Sequence, residues 1–313
     1  MTMVRIHGSI VATLVMVLLA GSCRETPSPK WSPDTATLVF MSNRDGNAEI
    51  YRADGHDGEW INLTRSEFSE NWPQWSPDGE RIAYQSNRDG NLDIWVMDAD
   101  GSNPRRLTDN PAHDYLPAWS PDGTMLTFAS WRREPGDTAD AVHIYRMNGD
   151  GSGQQRIFPQ SPGTSTGAQW MPDGNGFLLT VKYGTERGDL YLVDSTGREI
   201  RRLTNEPAYN GAAVFSPDGG QIACYADHGD ASDIVVMDRD GGNRRTVVSG
   251  GRNWYPRWSP DDRWLIYTAA APGEDARNLD VYGVPVDGAT APVRLATGPG
   301  REAEGQWRPE GRW

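Results

Sequence analysis

The sequence contains few of the residues that disulfides, metal sites and membrane spans require. It has two cysteines and five histidines among 313 residues. The histidines show no H-x-x-x-H spacing and have no cysteine companions, which argues against a zinc or manganese cage and predicts no cofactor. The apolar run Ile10–Ala20 is too short to span a bilayer as a helix. Cys224, inside the apolar stretch QIACYA, is predicted to be a small buried hydrophobe.

Basic residues are also fewer than acidic ones, 30 against 43. The formal net charge is -13, whereas nucleic-acid binders concentrate Lys and Arg on one face. This argues against a nucleic-acid partner and favours cationic or neutral ones.

Glycine and proline are plentiful, with 35 and 22 copies, which long helices do not tolerate. Thirteen Trp and eleven Tyr can fill a core between sheets, so a turn-rich, all-β protein is expected.

The N-terminus reads as a targeting signal. Arg5 precedes the apolar run Ile10–Ala20, which has the length of a secretory h-region. The run ends in Ala-Gly-Ser-Cys, which resembles the lipobox of bacterial lipoproteins. We therefore expect a signal peptide over 1–22, a lipidated Cys23, a linker over 23–30 and a folded domain over 31–313. The alternative is ordinary cleavage, with Cys23 incidental.

A repeat occupies the rest of the chain. Its marker is an aromatic residue, usually within W-S-P-D-G, at intervals of 43 to 51 residues. The seven markers are Trp31, Trp75, Trp119, Trp170, Phe215, Trp258 and Trp307. Each interval contains four short β-patterned runs separated by turn chemistry, such as SPDG between the first and second and DADG between the third and fourth. A period of this length with four strands predicts the blades of a β-propeller.

The number of blades follows from the third strands. Six such segments occur, from EIYRAD to DVYGVP, so the sequence predicts six blades of four antiparallel strands. One of the seven aromatic strands is then surplus. Two prolines precede Trp31 and none stands in EAEGQW before Trp307, so the C-terminal strand is predicted to close the first blade. An incomplete seventh blade is the alternative.

These motifs, W-S-P-D-G, I-A-Y, D-I-W-V-M-D-A-D-G and R-R-L-T, resemble the propeller repeat of TolB-like proteins over about residues 31–313. The resemblance implies a monomeric propeller in the bacterial envelope that binds protein, without the α/β domain that precedes the propeller in TolB. With the lipobox, and with Arg24 after the cysteine, it implies a lipid-anchored protein of the outer membrane that faces the periplasm. The same repeats occur in accessory propellers of prolyl-oligopeptidase-like peptidases and in some oligogalacturonate lyases.

A catalytic role has little support in the sequence. No α/β domain is present that would carry a hydrolase nucleophile. The segment GDGSG at 149–153 aligns with DADG and is predicted to be a hairpin turn. We therefore predict no catalytic and no metal-binding residue. A carbohydrate- or peptide-active enzyme, or the accessory propeller of one, stays the alternative.

Two polar series follow the repeat. One precedes the third strand, at Glu49, Asp93, His143, Asp189, Asp233 and Asp280. Because it recurs in every blade, a structural role is favoured over a cation site, with the carboxylates accepting backbone or Trp hydrogen bonds. The other, which we call the polar ring, lies in loops five residues before the aromatic and would surround one mouth of the central channel. The alternative to a functional site is that its members are ordinary solvated loop residues. They are Glu70, Asp114, Ser165, Asn210, Asn253 and Glu302.

The second series and its aromatic neighbours form the predicted partner site. Two expanded loops, 131–142 and 271–279, are expected on the same face, while the SPDG and DADG turns keep the other face uniform. An acidic ring with aromatic contacts favours a basic envelope protein or peptide as the partner. The predicted site residues are Glu70, Trp72, Asp114, Tyr115, Asn210, Asn253, Trp254, Tyr255 and Glu302.

Overall fold

The computed structural model describes residues 32–309, apart from 34, 56–57, 136, 138–141, 158–163, 184–186 and 271–277. The signal peptide over 1–22, Cys23, the linker over 23–30 and Trp31 therefore lie outside the described residues, as do parts of both expanded loops. The described residues contain 24 strands and no helix. Accordingly, no helix in this part of the chain is long and apolar enough to cross a membrane.

The fold is an all-β propeller of four-stranded antiparallel blades, as the repeat predicts. Four sheets contain four strands each, in the spatial orders that follow. The first is β24 (Glu302–Trp307), β1 (Thr37–Ser42), β2 (Glu49–Asp54) and β3 (Trp60–Asn62). The second is β4 (Glu70–Trp75), β5 (Arg81–Ser86), β6 (Asp93–Asp98) and β7 (Arg105–Arg106). The third is β8 (Asp114–Trp119), β9 (Met125–Ser130), β10 (His143–Asn148) and β11 (Gln155–Arg156). The fourth is β20 (Asn253–Trp258), β21 (Trp264–Ala269), β22 (Asp280–Pro285) and β23 (Val293–Ala296).

The other eight strands form one continuous sheet, so four blades, and not six, stand as separate sheets. Its strands are β12 (Thr164–Trp170), β13 (Gly176–Tyr183), β14 (Arg187–Asp194), β15 (Glu199–Arg202), β16 (Tyr209–Phe215), β17 (Gln221–Asp227), β18 (Ser232–Asp238) and β19 (Arg245–Val248). A single parallel pair, Gly188 with Tyr209, joins β14 to β16. Glycine permits this approach, because a Cβ at Gly188 would lie 2.7 Å from the Tyr209 ring.

The C-terminal strand lies at the edge of the first sheet. β24 pairs antiparallel with β1, from Leu38 with Trp307 to Ser42 with Glu302. It thereby takes the place that a strand ending at Trp31 would otherwise occupy.

The core is divided among the gaps between sheets. Strands β5 and β9 are buried over their last five residues because both of their faces pack against neighbouring strands or sheets. The repeat tryptophans Trp119 and Trp258 pack in these gaps. The Nε1 of Trp119 donates to the carbonyl of Gln74 at 3.2 Å, and the Nε1 of Trp258 donates to that of Val214 at 3.3 Å. Cys224 is free and fully buried in one gap, as expected.

The predicted turns are present. The amide of Gly79 donates to the carbonyl of Ser76 at 2.8 Å in the SPDG turn between β4 and β5, and Gly79 has a φ of 69°. This left-handed φ explains the glycine. In the GDGSG segment, Gly151 donates to the carbonyl of Asn148 at 2.9 Å. It is therefore the hairpin turn between β10 and β11 that the sequence predicts.

Candidate functional site

The innermost strands share a bulge that directs one side chain into the central channel. Each strand that ends in the repeat aromatic shifts register against its neighbour, for example between Asn71 and Gln74. The residue three places before the aromatic has a left-handed backbone in five strands. These residues are Trp72 (φ 54°), Leu116 (56°), Ala212 (47°), Tyr255 (56°) and Glu304 (61°). A bulge re-aims a side chain, and four of these residues, all except Glu304, line a cavity in the channel.

Four aromatic side chains meet in the channel and form what we call the aromatic cluster: Trp72, Tyr209, Tyr225 and Tyr255. The rings of Trp72 and Tyr255 meet edge to face with centroids 4.7 Å apart. Tyr225 lies 5.9 Å from both Tyr255 and Tyr209. All four are half-buried and line a cavity of about 190 Å³. Tyr209 and Tyr225 were not predicted, because Tyr209 comes before its polar residue, Asn210, whereas the predicted aromatics follow theirs, and Tyr225 lies in the second strand of its group.

The predicted aromatics Tyr115 and Trp254 do not line this cavity. The hydroxyl of Tyr115 accepts a hydrogen bond at 3.1 Å from the Nε1 of Trp131, which begins the first expanded loop. Trp131 is 47% exposed, so it presents apolar surface beside the channel mouth. Trp254 is half-buried in β20.

The polar ring is not a set of solvated loop residues, and this part of the prediction is wrong. Each member stands at or next to the start of an innermost strand, where the sheets converge and exclude water. Glu70, Asp114, Asn210 and Glu302 are completely buried, and Asn253 is 5% exposed.

The buried acids are bonded to the end of the adjacent strand. The Glu70 carboxylate accepts hydrogen bonds from the Ser86 hydroxyl at 2.9 Å and from Arg88 at 3.0 Å. Burial raises the pKa of the Glu70 carboxyl, and the bonds from Ser86 and Arg88 oppose that rise. Asp114 and Arg132 form the equivalent ion pair at 2.6 Å. The recurring S-x-R after the second strand was the sequence signal for these partners.

Asn210 and Asn253 are held by equivalent internal bonds. Asn210 accepts from Arg244 at 3.1 Å and donates to the carbonyl of Gly188 at 3.2 Å. Asn253 donates to the carbonyl of Ser232 at 2.8 Å. Glu302 accepts from the hydroxyl of Ser42 at 3.0 Å, and burial raises the pKa of its carboxyl. The ring therefore ties innermost strands to the loops and strands beside them.

One buried acid next to the aromatic cluster was not predicted. Glu304, in β24, accepts a hydrogen bond at 2.7 Å from the amide of Trp72 in β4. Burial raises the pKa of the Glu304 carboxyl to about 7, while the bond from Trp72 and the charges of Arg301 and Arg257 oppose the rise. This carboxyl links the first two sheets at Trp72, a member of the aromatic cluster.

Three members of the third-strand series bond to an arginine of the fourth strand. Glu49 instead accepts from the backbone amide of Ser66 at 2.8 Å, while His143 and Asp233 lie 3.2 and 3.6 Å from Asp137 and His228. Asp93 accepts from Arg106 at 2.7 Å and from Thr108 at 3.2 Å. Asp189 accepts from Arg202 at 2.7 Å, and Asp280 accepts from Arg294 at 3.0 Å. Beside Asp93, Asp189 and Asp280, guanidinium groups thus fill the places that a cation would take. Within the described ranges, no three His, Cys, Asp or Glu side chains are grouped closely enough to hold a metal ion.

One further segment of the sequence resembles a catalytic motif. Residues 163–167 read G-T-S-T-G, which matches the G-x-S-x-G of hydrolase nucleophile elbows. That elbow requires a sharp turn from a strand into a helix. Ser165 is instead a buried residue inside β12, and the described part of the chain contains no helix. The match therefore does not identify a nucleophile.

Comparison with known proteins gives relatives over part of the chain. An uncharacterized protein of Agrobacterium fabrum is 33% identical over 121 residues, covering 38% of this chain and 39% of the relative. The Tol-Pal system protein TolB of Anaeromyxobacter dehalogenans is 32% identical over 130 residues, covering 38% of this chain and 29% of the relative. The matches thus span well under half the length of either relative.

Solved structures share the fold. TolB from Acinetobacter baumannii superposes with a TM-score of 0.75 at 21% identity, covering 89% of this chain and 68% of that chain. An oligogalacturonate lyase in complex with manganese gives a TM-score of 0.58 at 17% identity, covering 86% and 76%. At these identities the likeness concerns the fold alone. The sequence itself matches the TolB beta propeller domain over residues 61–184 and 151–279, more than half of the chain. The chain therefore belongs to the TolB β-propeller family.

Proposed function

We propose that this chain is a non-catalytic scaffold that binds a protein partner at the mouth of its central channel. The observation that carries the proposal is the aromatic cluster, four half-buried rings around an open cavity. Half-buried Trp and Tyr side chains are typical contacts of binding hot spots, since they offer large apolar area together with a polar group. The relatives that bear the name Tol-Pal system protein favour a partner in the bacterial envelope.

Different residues have different parts in this proposal. Trp72 and Tyr255 contact the partner directly, while Tyr115 with Trp131 and Trp254 extend the surface outward. The buried ring residues hold the innermost strands in register beneath that surface, and they act as positioning residues. They are Glu70, Asp114, Asn210, Asn253 and Glu302. The net charge of -13 favours a basic partner through long-range attraction.

We also propose that the eight-stranded sheet is two blades, which gives six blades in a ring. Six hydrophobic clusters support this count, each joining residues from neighbouring groups of four strands. One of them packs Leu178 and Leu190 against Ile222 and Val235 inside the eight-stranded sheet. In this arrangement β24, paired with β1, is the strand that closes the ring.

The proposed location is the periplasmic side of the outer membrane, with the propeller over residues 31–313 anchored through Cys23. The lipobox-like Ala-Gly-Ser-Cys supports this part of the proposal. Replacing Cys23 with Ser should release the protein from membranes into the soluble fraction, because the variant has no acyl chains and stable anchoring depends on them. Undiminished membrane association of the variant would refute the anchor.

Site-specific photo-cross-linking tests the binding proposal. Benzoylphenylalanine in place of Trp72 should give a discrete adduct with one envelope protein in living cells. The matched control carries the same group at Asp100, an exposed residue of the DADG turn. That turn lies at the opposite end of its strands from the channel mouth. Identical adducts from both positions, or none from position 72 in folded protein, would overturn the proposal.

A further inference from the structure

Two cavities meet inside the channel at a belt of polar side chains. The first cavity holds the aromatic cluster. The second has a volume of about 380 Å³ and lies on the side of the SPDG turns, where repeat prolines and tryptophans line it. Three side chains, Gln74, Gln169 and Arg257, line both cavities. These three form what we call the polar belt, and each precedes a repeat aromatic by one residue.

Arg257 carries the only charge of the polar belt and is sparsely bonded. Its one hydrogen bond among the described residues runs from Nη1 to the carbonyl of its own neighbour, Pro256, at 2.9 Å. No described carboxylate forms an ion pair with it, whereas Arg88 and Arg132 are each paired with a buried acid. A guanidinium has five N–H donors. Most of the donors of Arg257 are therefore available to a group that enters the channel.

The surroundings keep this positive charge in place. Burial lowers the pKa of Arg257 to about 10, and Glu304 opposes that fall, so the side chain is cationic at neutral pH. Among the described residues, Glu304 acts on Arg257 through its charge and forms no ion pair with it; its carboxyl accepts from the Trp72 amide. The amide groups of Gln74 and Gln169 add donors that carry no charge.

We propose that the polar belt is a carboxylate site, in which Arg257 binds a carboxylate of a peptide that enters past the aromatic cluster. This inference rests on the proposed function, since the peptide belongs to the protein partner. Arg pairs with carboxylates through two parallel hydrogen bonds, and such pairs are stronger where water is excluded. The carboxylate belongs either to the C-terminus of the partner or to an Asp or Glu side chain in an inserted loop.

Trifluoroacetate, observed by fluorine NMR, probes the site without a partner. The wild-type protein should broaden the fluorine signal in a saturable way, and Arg257→Gln should abolish the saturable part. The matched control is Arg252→Gln, since Arg252 is an exposed arginine that precedes the same strand. Equal broadening by wild type and a folded Arg257→Gln variant would overturn the inference.

Peptide pools separate the two sources of the carboxylate, and their main comparison uses the wild type alone. A random hexapeptide pool with free C-termini should be retained at least tenfold more strongly by the wild type than the same pool with C-terminal amides. If instead the Asp and Glu content of the pool sets retention, the side-chain source is correct. A third result is that the wild type retains acidic, neutral, free and amidated pools equally, while the Trp72→Ala variant retains none of them. That result would overturn the carboxylate site and leave the proposed function standing. If the wild type retains no pool, the carboxylate site is overturned, while the proposed function is decided separately by the cross-linking at position 72.

Discussion

At the scale of single residues, the innermost acids are buried charges that the fold must compensate. Glu70 illustrates the solution, since its carboxylate is completely buried and one oxygen accepts from both Ser86 and Arg88. Removing one member of such a pair leaves the other partly desolvated without compensation. The acids of the ring are therefore expected to matter for stability, in contrast to solvated surface acids.

Glu70→Gln should lower the free energy of unfolding by about 2 to 3 kcal/mol, because Arg88 loses its buried counter-charge. Denaturant titration measures this. The control is Glu80→Gln, which removes an exposed acid that faces Arg308 at 3.4 Å and should change stability by less than about 0.5 kcal/mol. Equal effects of the two substitutions would show that the burial of Glu70 has no energetic consequence.

Glu304 predicts a pH dependence with a definite sign. Its pKa is about 7 in the folded protein and 4.5 as a reference value, so the unfolded chain releases this proton first. The raised pKa therefore adds to the free energy of unfolding below pH 4.5, where the carboxyl is neutral in both states. This contribution, about 3 kcal/mol, is lost as pH rises towards 7. Glu304→Gln keeps the acceptor for the Trp72 amide and does not titrate. Subtracting its pH profile from that of wild type should therefore isolate this loss, and a difference that stays constant with pH would contradict the assignment.

At the scale of elements, the innermost strands combine a strand pattern with a left-handed residue in the middle. The left-handed region is unfavourable for residues with a Cβ, and a β-branched residue there is strained by about 1 to 3 kcal/mol. At ordinary strand positions, valine is more favourable than alanine, and glycine is the least favourable of the three. Substitutions at the bulge can therefore distinguish the two backbone conformations.

At Ala212, with a φ of 47°, stability should follow the order Gly at least equal to Ala, and Ala above Val. Thermal unfolding of Ala212→Gly and Ala212→Val measures this order. Ala213→Gly is the control, because Ala213 is a buried strand neighbour without a left-handed backbone and should be destabilised by about 1 kcal/mol. The reverse order at Ala212 would mean that β16 has no bulge there.

The strand and turn pattern could be predicted from the sequence because it depends on local chemistry. The SPDG and DADG segments and the alternation around them identify strands such as β4, β5 and β6 without further information. The bulges could not be predicted, since Trp72, Leu116 and Tyr255 are residues that avoid a left-handed backbone. The burial of Glu70 and the Trp72–Glu304 bond also depend on assembled sheets, the latter joining residues 232 positions apart.

At the scale of the whole molecule, the two ends of the propeller meet in one sheet. β24 contributes Trp307 to a cluster with Leu38 and Phe40 of β1 and with Ile266 of β21. Glu304 and Gln306 of the same strand accept hydrogen bonds from the amides of Trp72 and Trp75. A single six-residue strand thus connects three sheets.

Deleting residues 301–313 should therefore lower the melting temperature strongly, because it removes β24 and exposes an edge of β1. Deleting residues 24–30 should have a small effect. The comparison is made by thermal unfolding of both truncated proteins beside the full chain. A larger loss from the N-terminal deletion would mean that the N-terminal segment, and not β24, closes the ring.

The central claim is that the channel mouth binds a protein partner through its aromatic cluster. Its most direct test uses the partner that is identified by cross-linking at position 72. The dissociation rate of this partner is compared between wild type and a Trp72→Ala, Tyr255→Ala double variant at the same salt concentration. Loss of two hot-spot aromatics should speed dissociation at least about tenfold while association changes little. The double variant should still unfold cooperatively. An unchanged dissociation rate from the folded double variant would contradict the claim.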